Sequence, residues 1–242
     1  MCAPLALTVF VGLLSMTMLK SPAAYLFDMD GLLLDTERMF LSAFVTLTDD
    51  LQIAREEAEA FFGTLVGTSS QHTTAQLHRF LPKSTDVAEF DLRWRALHKE
   101  NVSNGVPVKP YALDVLRTIR AKGVPMAVVT STHGPAAQHH LKAAGLLPFF
   151  DTVCTGNEVA ANKPDPEPYL EGARRLGVDP THCVAFEDSD LGTTAAVRAG
   201  CLTVQIPDLR PPNTPLPDLG QLIAQDLGHA AVQIGLFDKA LT

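Results

Sequence analysis

Two carboxylates one residue apart, Asp28 and Asp30, close the apolar run Ala23-Ala24-Tyr25-Leu26-Phe27 and are followed at once by Gly31. A carboxylate at the end of a buried strand is costly unless it is paired or holds a cation. In an extended chain Asp28 and Asp30 point to the same side, so both can address one substrate atom. Gly31 lets the backbone turn sharply and come close to a ligand. The chain repeats this pattern of apolar run and polar end. Val128-Val129 runs into the hydroxyls of Thr130, Ser131 and Thr132, and Ala185-Phe186 runs into Glu187 and Asp188. Between them, Asn162-Lys163-Pro164-Asp165-Pro166 sets one lysine in a loop whose prolines reduce the entropy lost on ordering. An ammonium is a compact point charge suited to a phosphate or a carboxylate. One or two carboxylates plus phosphate oxygens are the hard ligands that Mg²⁺ takes. Each segment also has a plainer reading, as an Asp/Gly turn, a helix cap or a solvated lysine.

The elements that must position these residues follow from the apolar pattern. Helices are predicted over 110–122, 135–144, 166–176 and 191–199, closed by Gly123, Gly145, Gly177 and Gly200. Each is followed by an apolar strand run, at 124–130, 149–155, 182–186 and 202–206. Alternation of this kind predicts parallel βαβ units, and right-handed crossovers bring the strand C-termini to one edge. Reacting groups of open α/β sheets gather beyond that edge. Residues 37 to about 105 break the alternation and read as helices, over 55–62, 71–80 and 87–102, with Trp94 as a core residue. They form an insertion with hinges at Thr36 and Glu37 on the way out and Gly105-Val106-Pro107 on the way back. On the plainer reading of the Asp28 segment, Asp35 and Thr36 would cap the helix that follows them. In the tail, Pro211-Pro212 marks a loop, and 218–227 is predicted to be a packing helix.

The segment from Asp28 to Thr36 resembles the first motif of the haloacid dehalogenase superfamily, D-x-D-G-x-x-x-D-T/S. Thr130 falls on its second motif, Lys163-Pro164-Asp165-Pro166 resembles the third, and Glu187-Asp188 resembles the fourth. All four occur in order, and the resemblance covers residues 24 to about 206. It implies an α/β fold, a doubly wound parallel sheet (Rossmann-like), with an inserted all-helical cap of the β-phosphoglucomutase and phosphoglycolate phosphatase branch. The core would then be 20–36 and 106–242, and the cap 37–105. It also implies that Asp28 is a nucleophile forming an aspartyl-phosphate, Asp30 a general acid/base, and Lys163 the cation that keeps Asp28 ionised. Thr130 and Ser131, with Met29 and Gly31, would bind phosphate. Mg²⁺ would sit on Asp28, Asp30 through its carbonyl, and Asp188, with Glu187 joining directly or through water. The implied activity is Mg²⁺-dependent hydrolysis of a small phosphomonoester (a sugar phosphate, phosphoglycolate or similar). The alternative is a phosphomutase, which in that branch holds a second phosphate with Lys and Arg around a Gly-x-Ser turn. Here the turn is Gly67-Thr68-Ser69, and Val66 and Ser70 stand about where those cations would be. A dehalogenase lacks the second aspartate, so Asp30 speaks against that branch, and the full set of catalytic residue types speaks against an idle binding protein.

Composition bounds the rest. With 46% hydrophobic residues over 242 positions the chain can build a large core. Its 19 Lys and Arg against 27 Asp and Glu give a net charge of −8, which speaks against nucleic-acid binding. Cys2, Cys154, Cys183 and Cys201 lack metal-ligand spacing and read as free thiols in a reducing, cytoplasmic setting. Residues 1–19 carry no charge. Without a basic start they do not read as a secretory signal. A start codon assigned upstream of Met16 or Met18 is the preferred account, and a targeting segment the second. The expected partner is a small phosphorylated metabolite. No membrane association is expected unless that segment is real, and a monomer is favoured.

Overall fold

The computed structural model describes residues 21–66, 70–210 and 214–238. The expectations for residues 1–19, Cys2, the Gly67 turn and Pro211-Pro212 lie outside them. Six short strands form one parallel sheet: β1 (Ala24–Phe27), β2 (Met126–Val129), β3 (Thr152–Cys154), β4 (Cys183–Glu187), β5 (Leu202–Gln205) and β6 (Leu222–Ile223). Their order is β3-β2-β1-β4-β5-β6, and every pairing is parallel. The chain thus forms the expected doubly wound α/β core.

Between β1 and the first crossover helix lie α1 (Thr36–Asp49), α2 (Arg55–Gly63), α3 (Ser70–Phe80) and α4 (Val87–Ser103). These four helices share their own apolar cluster around Phe44, Phe62, Leu77 and Trp94. Trp94 is 1% exposed, stacks on Phe40 and donates its Nε1–H to the Phe40 carbonyl at 2.9 Å. Its reading as a core residue holds.

The crossovers are α5 (Ala112–Ala121), α6 (Gly134–Ala143), α7 (Glu167–Leu176) and α8 (Asp190–Arg198), and α9 (Leu227–Gln233) is the last helix among the described residues. Strand residues alternate between two buried layers. Tyr25, Phe27, Val128 and Phe186 join α5, α6 and α9 on one face, whereas Ala24, Leu26, Val129 and Ala185 join α7 and α8 on the other. Burial on both faces is why these strands read as continuous apolar runs. Cys154, Cys183 and Cys201 are buried free thiols in the second layer, and burial pushes them up to about 11, 11 and 12. No helix among the described residues is long and apolar enough to cross a membrane.

One expectation is corrected. The helix predicted over 218–227 does not form there. Leu222–Ile223 adds instead to the sheet edge as β6, opposite Val204 and Gln205. The helix begins at Leu227, where the Asp226 side chain accepts the His229 N–H at 2.8 Å. Leu219, Leu222 and Ile223 mimic helical spacing, and a two-residue strand is too short to display a period of its own. The plainer reading of Asp35 as a helix cap does not hold either. It occupies the N-cap position of α1, but its side chain makes no cap hydrogen bond. Its Oδ1 faces Lys109 and Arg38 instead, each at 3.4 Å.

Candidate active site

Strand register brings the polar ends together. Phe27 lies opposite Phe186 on β4 and opposite Val128 on β2. Asp28, Thr130 and the Glu187-Asp188 pair therefore emerge side by side at the C-terminal edge. Asp28 is nearly buried, and its N–H donates to the Phe186 carbonyl at 3.0 Å. The loop before α7 sends Lys163 inward to meet it. Lys163 Nζ reaches Asp28 Oδ1 at 2.5 Å, Glu187 Oε1 at 2.6 Å and the Val129 carbonyl at 2.9 Å. Its side chain is only 6% exposed, so all three contacts form away from bulk water. Tyr169, from α7, donates its hydroxyl to Glu187 Oε1 at 2.6 Å and places its ring 5.3 Å below the ammonium.

Glu187 is wholly buried. Its Oε2 receives the Ser189 hydroxyl at 3.2 Å and the Ser189 N–H at 3.4 Å, while Ser189 caps α8. Any side chain at Gly192 would collide with the Glu187 carboxylate, so the small residue at the start of α8 is a steric requirement.

Asp30 stands in different surroundings. Its Oδ1 accepts the Thr36 hydroxyl at 2.9 Å, and its Oδ2 accepts those of Thr132 at 2.7 Å and Thr130 at 3.3 Å. One aspartate is thus held by a buried ammonium and the other by neutral hydroxyls. Two carboxylates in contrasting environments are what a division into nucleophile and acid/base requires. Thr36, expected as a hinge residue, fixes the orientation of Asp30.

The surroundings shift several of these groups. Burial pushes Asp28 up, Lys163 pulls it down, and Glu187 and Asp30 push it up again, leaving it at about 8. For Lys163 itself, burial disfavours the charge, but Asp28 and Glu187 more than offset it and the net direction is upward. Burial, then the charges of Asp28 and Glu187, lift Asp188 well above the carboxylate range. Burial, with Asp30 and Asp208 nearby, raises Glu37 to about 7.

These groups open onto one cavity of ≈ 380 Å³, lined among others by Asp28, Asp30, Ser131, Lys163, Asp188 and Glu37. Thr130 also lines it. Met29 is fully buried, so only its backbone is available to a ligand. Gly31 has φ +84°, and a Cβ there would strike the Asp188 carboxylate. Oxygens of Asp28, Glu187 and Asp188 lie within 4.8 Å of one another. This concentration of hard oxygen donors around a single ammonium fits a divalent cation.

Tyr169 and Asp208 were not singled out by their types or spacing, and Thr132 was named among the hydroxyls after the strand but given no role of its own. Thr132 could have been found from the two-residue alternation with Thr130. Tyr169 and Asp208 stand alone in their segments and carry no comparable signal.

The chain is similar to known proteins in sequence and fold. A family model described as haloacid dehalogenase-like hydrolase matches residues 25–206. The chain is 32% identical over 183 residues to Hexitol phosphatase A of Escherichia coli (strain K12), covering 75% of this chain and 82% of that protein. It is 30% identical over 192 residues to Fructose-1-phosphate phosphatase YqaB of the same organism, covering 76% and 96%. A putative β-phosphoglucomutase from Thermotoga maritima superposes with a TM-score of 0.69 at 25% identity, over 90% of this chain and 99% of that one.

Proposed function

The chain belongs to the haloacid dehalogenase-like hydrolase family and is a phosphoric monoester hydrolase, and from that premise we propose that it removes phosphate from a small sugar or sugar-alcohol monophosphate through an aspartyl-phosphate on Asp28. The observation that carries this reading is the pairing of Asp28 with buried Lys163 beside an Asp30 held only by hydroxyls. Lys163 takes Asp28 Oδ1 and leaves Oδ2 to form the bond to phosphorus. As that bond forms, the ester P–O bond breaks and Asp30 gives its proton to the departing alkoxide. Asp30 then takes a proton from water, whose oxygen attacks phosphorus. The Asp28–phosphorus bond breaks, and inorganic phosphate leaves. Thr130, Ser131 and the backbone at Met29 and Gly31 orient the phosphoryl oxygens.

Mg²⁺ would be held by Asp28, Asp188 and the Asp30 carbonyl, and when bound it neutralises phosphoryl charge. Glu187 lies within reach of the same ion, but protein donors already engage both its oxygens, so its main role is to seat Lys163. The four helices of 37–105 act as the cap that closes over the leaving group, hinged at Thr36 and Glu37.

The lining favours a leaving group without a second phosphate. Lys163 is engaged by Asp28 and Glu187, and Arg210, the other cation among the described lining residues, is bonded to Asp190 at 2.9 Å. Val66 borders the cavity where a mutase would present a lysine. The names of the two Escherichia coli relatives point to sugar and sugar-alcohol phosphates. A screen of hexitol and hexose monophosphates, phosphoglycolate and a hexose bisphosphate tests this. The highest Mg²⁺-dependent kcat/KM is expected on a hexose or hexitol monophosphate. Isomerisation of the bisphosphate without phosphate release would overturn the reading in favour of a mutase.

The raised position of Asp28 also predicts a pH dependence. A carboxyl whose folded value lies above its unfolded one binds more protons in the folded state, so its stabilising effect is lost as pH rises. In a chelator, the thermal midpoint is expected to fall between pH 4 and about 8 more steeply in the native chain than in Asp28→Asn. Saturating Mg²⁺ is expected to flatten the native slope. Equal slopes in chelator for the two proteins would contradict the assignment.

A further inference from the structure

We propose that Asp208 is an outer-shell carboxylate of the divalent-cation site, accepting a hydrogen bond from a water bound to the cation. The inference rests on the metal reading above and adds a residue that none of the four motifs contains. Asp208 follows β5 at the same sheet edge as Asp28 and Asp188, and its side chain is 5% exposed. Its two oxygens are treated unequally. Oδ1 accepts from Lys109 Nζ at 2.6 Å, with Arg38 at 3.8 Å. Oδ2 is buried and has no hydrogen-bond partner among the described residues.

That orphan oxygen points toward the reacting groups. It lies 3.6 Å from where a Cβ on Gly31 would sit, a position that the Asp188 carboxylate also crowds. Asp208 lines the same cavity as Asp28, Asp30 and Asp188. A buried carboxylate oxygen without a donor is costly, and native structures rarely leave one so. Asp188, Asp30 and Glu37 line the same cavity, and none of them donates a hydrogen bond to Oδ2. The missing partner must bring protons rather than lone pairs.

A water on a divalent cation is such a partner: the cation takes its lone pair, and both hydrogens point outward. Mg²⁺ keeps several waters when it binds few carboxylates. Outer-shell acceptors fix such ligands and tune affinity. Lys109 acts on the far oxygen. By taking Oδ1 it locks the side chain so that Oδ2 faces Gly31 and Asp188. Asp208 is thus a positioning residue, separated from the phosphoryl group by the cation and its water.

Calorimetric titration of the substrate-free protein with Mg²⁺ tests the role without recourse to turnover. In Asp208→Asn the amide oxygen can still accept from Lys109, while the amide nitrogen replaces Oδ2 and offers a donor to a donor. The expected result is Mg²⁺ binding weakened about tenfold or more, with the thermal midpoint in chelator close to the native one. Native Mg²⁺ affinity in Asp208→Asn, or a lowered midpoint in chelator with affinity intact, would make Asp208 a structural residue and overturn the proposal. If D208N does not fold, Asp208→Glu serves. It keeps the charge but displaces the oxygen by a methylene, and it must also weaken Mg²⁺ binding, with unchanged affinity counting against the proposal. A native chain that binds no Mg²⁺ while D208N matches it would sink the metal reading itself, which separates that failure from the failure of Asp208 alone.

Discussion

Asp28→Asn is expected to lower Mg²⁺-dependent hydrolysis of p-nitrophenyl phosphate by ~10⁴-fold or more, the scale on which loss of a covalent nucleophile is felt. The substitution is nearly isosteric and leaves the amide oxygen able to accept from Lys163, which also keeps Glu187 and the Val129 carbonyl as partners. What disappears is the anionic oxygen that bonds to phosphorus. Acid quenching of the native enzyme with a ³²P-labelled substrate should trap a labelled acyl phosphate that Asp28→Asn does not form. The expected thermal midpoint is close to native, because the change removes one of several carboxylates crowded around a single ammonium. Retained label in Asp28→Asn, or a rate within tenfold of native, would place the nucleophile elsewhere. Asp30 could not take it over without surrendering the three hydroxyls that hold it.

The parts of this site legible in the sequence share a physical cause. Asp28, Thr130 and Asp188 each end an apolar run, and a run buried on both faces is a strong signal whose end marks the sheet edge. Lys163 was legible because a run of spaced prolines follows it. The helices after the runs were legible from their closing glycines: Gly177 and Gly200, for example, adopt φ of +70° and +91°. What escaped is whatever depends on side chains meeting across the fold. Tyr169 looks like an ordinary apolar position of α7, and only the docking of α7 against β2 and β1 carries its hydroxyl to Glu187. Asp35 carries every local sign of a helix cap, yet Lys109, 74 residues away, competes for its carboxylate. β6 escaped because two residues gain strand geometry only from the edge of β5 beside them. Asp208 escaped because a lone acid after a strand has no meaning until its neighbours are known.

Lys163→Met should be the single change most damaging to stability, with a large loss of turnover beside it. The native ammonium is met by Asp28, Glu187 and the Val129 carbonyl in a slot with almost no solvent. Removing it leaves two carboxylates facing each other with no cation between them. Loss of one partner of a buried ion pair costs about 3–5 kcal/mol, because the remaining charge stays desolvated. The sign of the pH dependence follows from Asp28. Lys163 is the one neighbour that lowers its already raised value of about 8, so without the lysine that value moves further up. Folded Lys163→Met would then hold protons that the unfolded chain releases, and its stability would drop as pH rises. Urea titrations at pH 6 and pH 9 should show a larger deficit relative to native at pH 9, and an equal deficit would mean that the lost interaction is packing rather than charge. Turnover should fall by ~10³-fold or more, because the charge on the transferring phosphoryl group loses a fixed counter-charge. Lys163→Arg should recover little of either loss. Three acceptors converge on one nitrogen, and a planar fork cannot present a single point charge to all of them in that space.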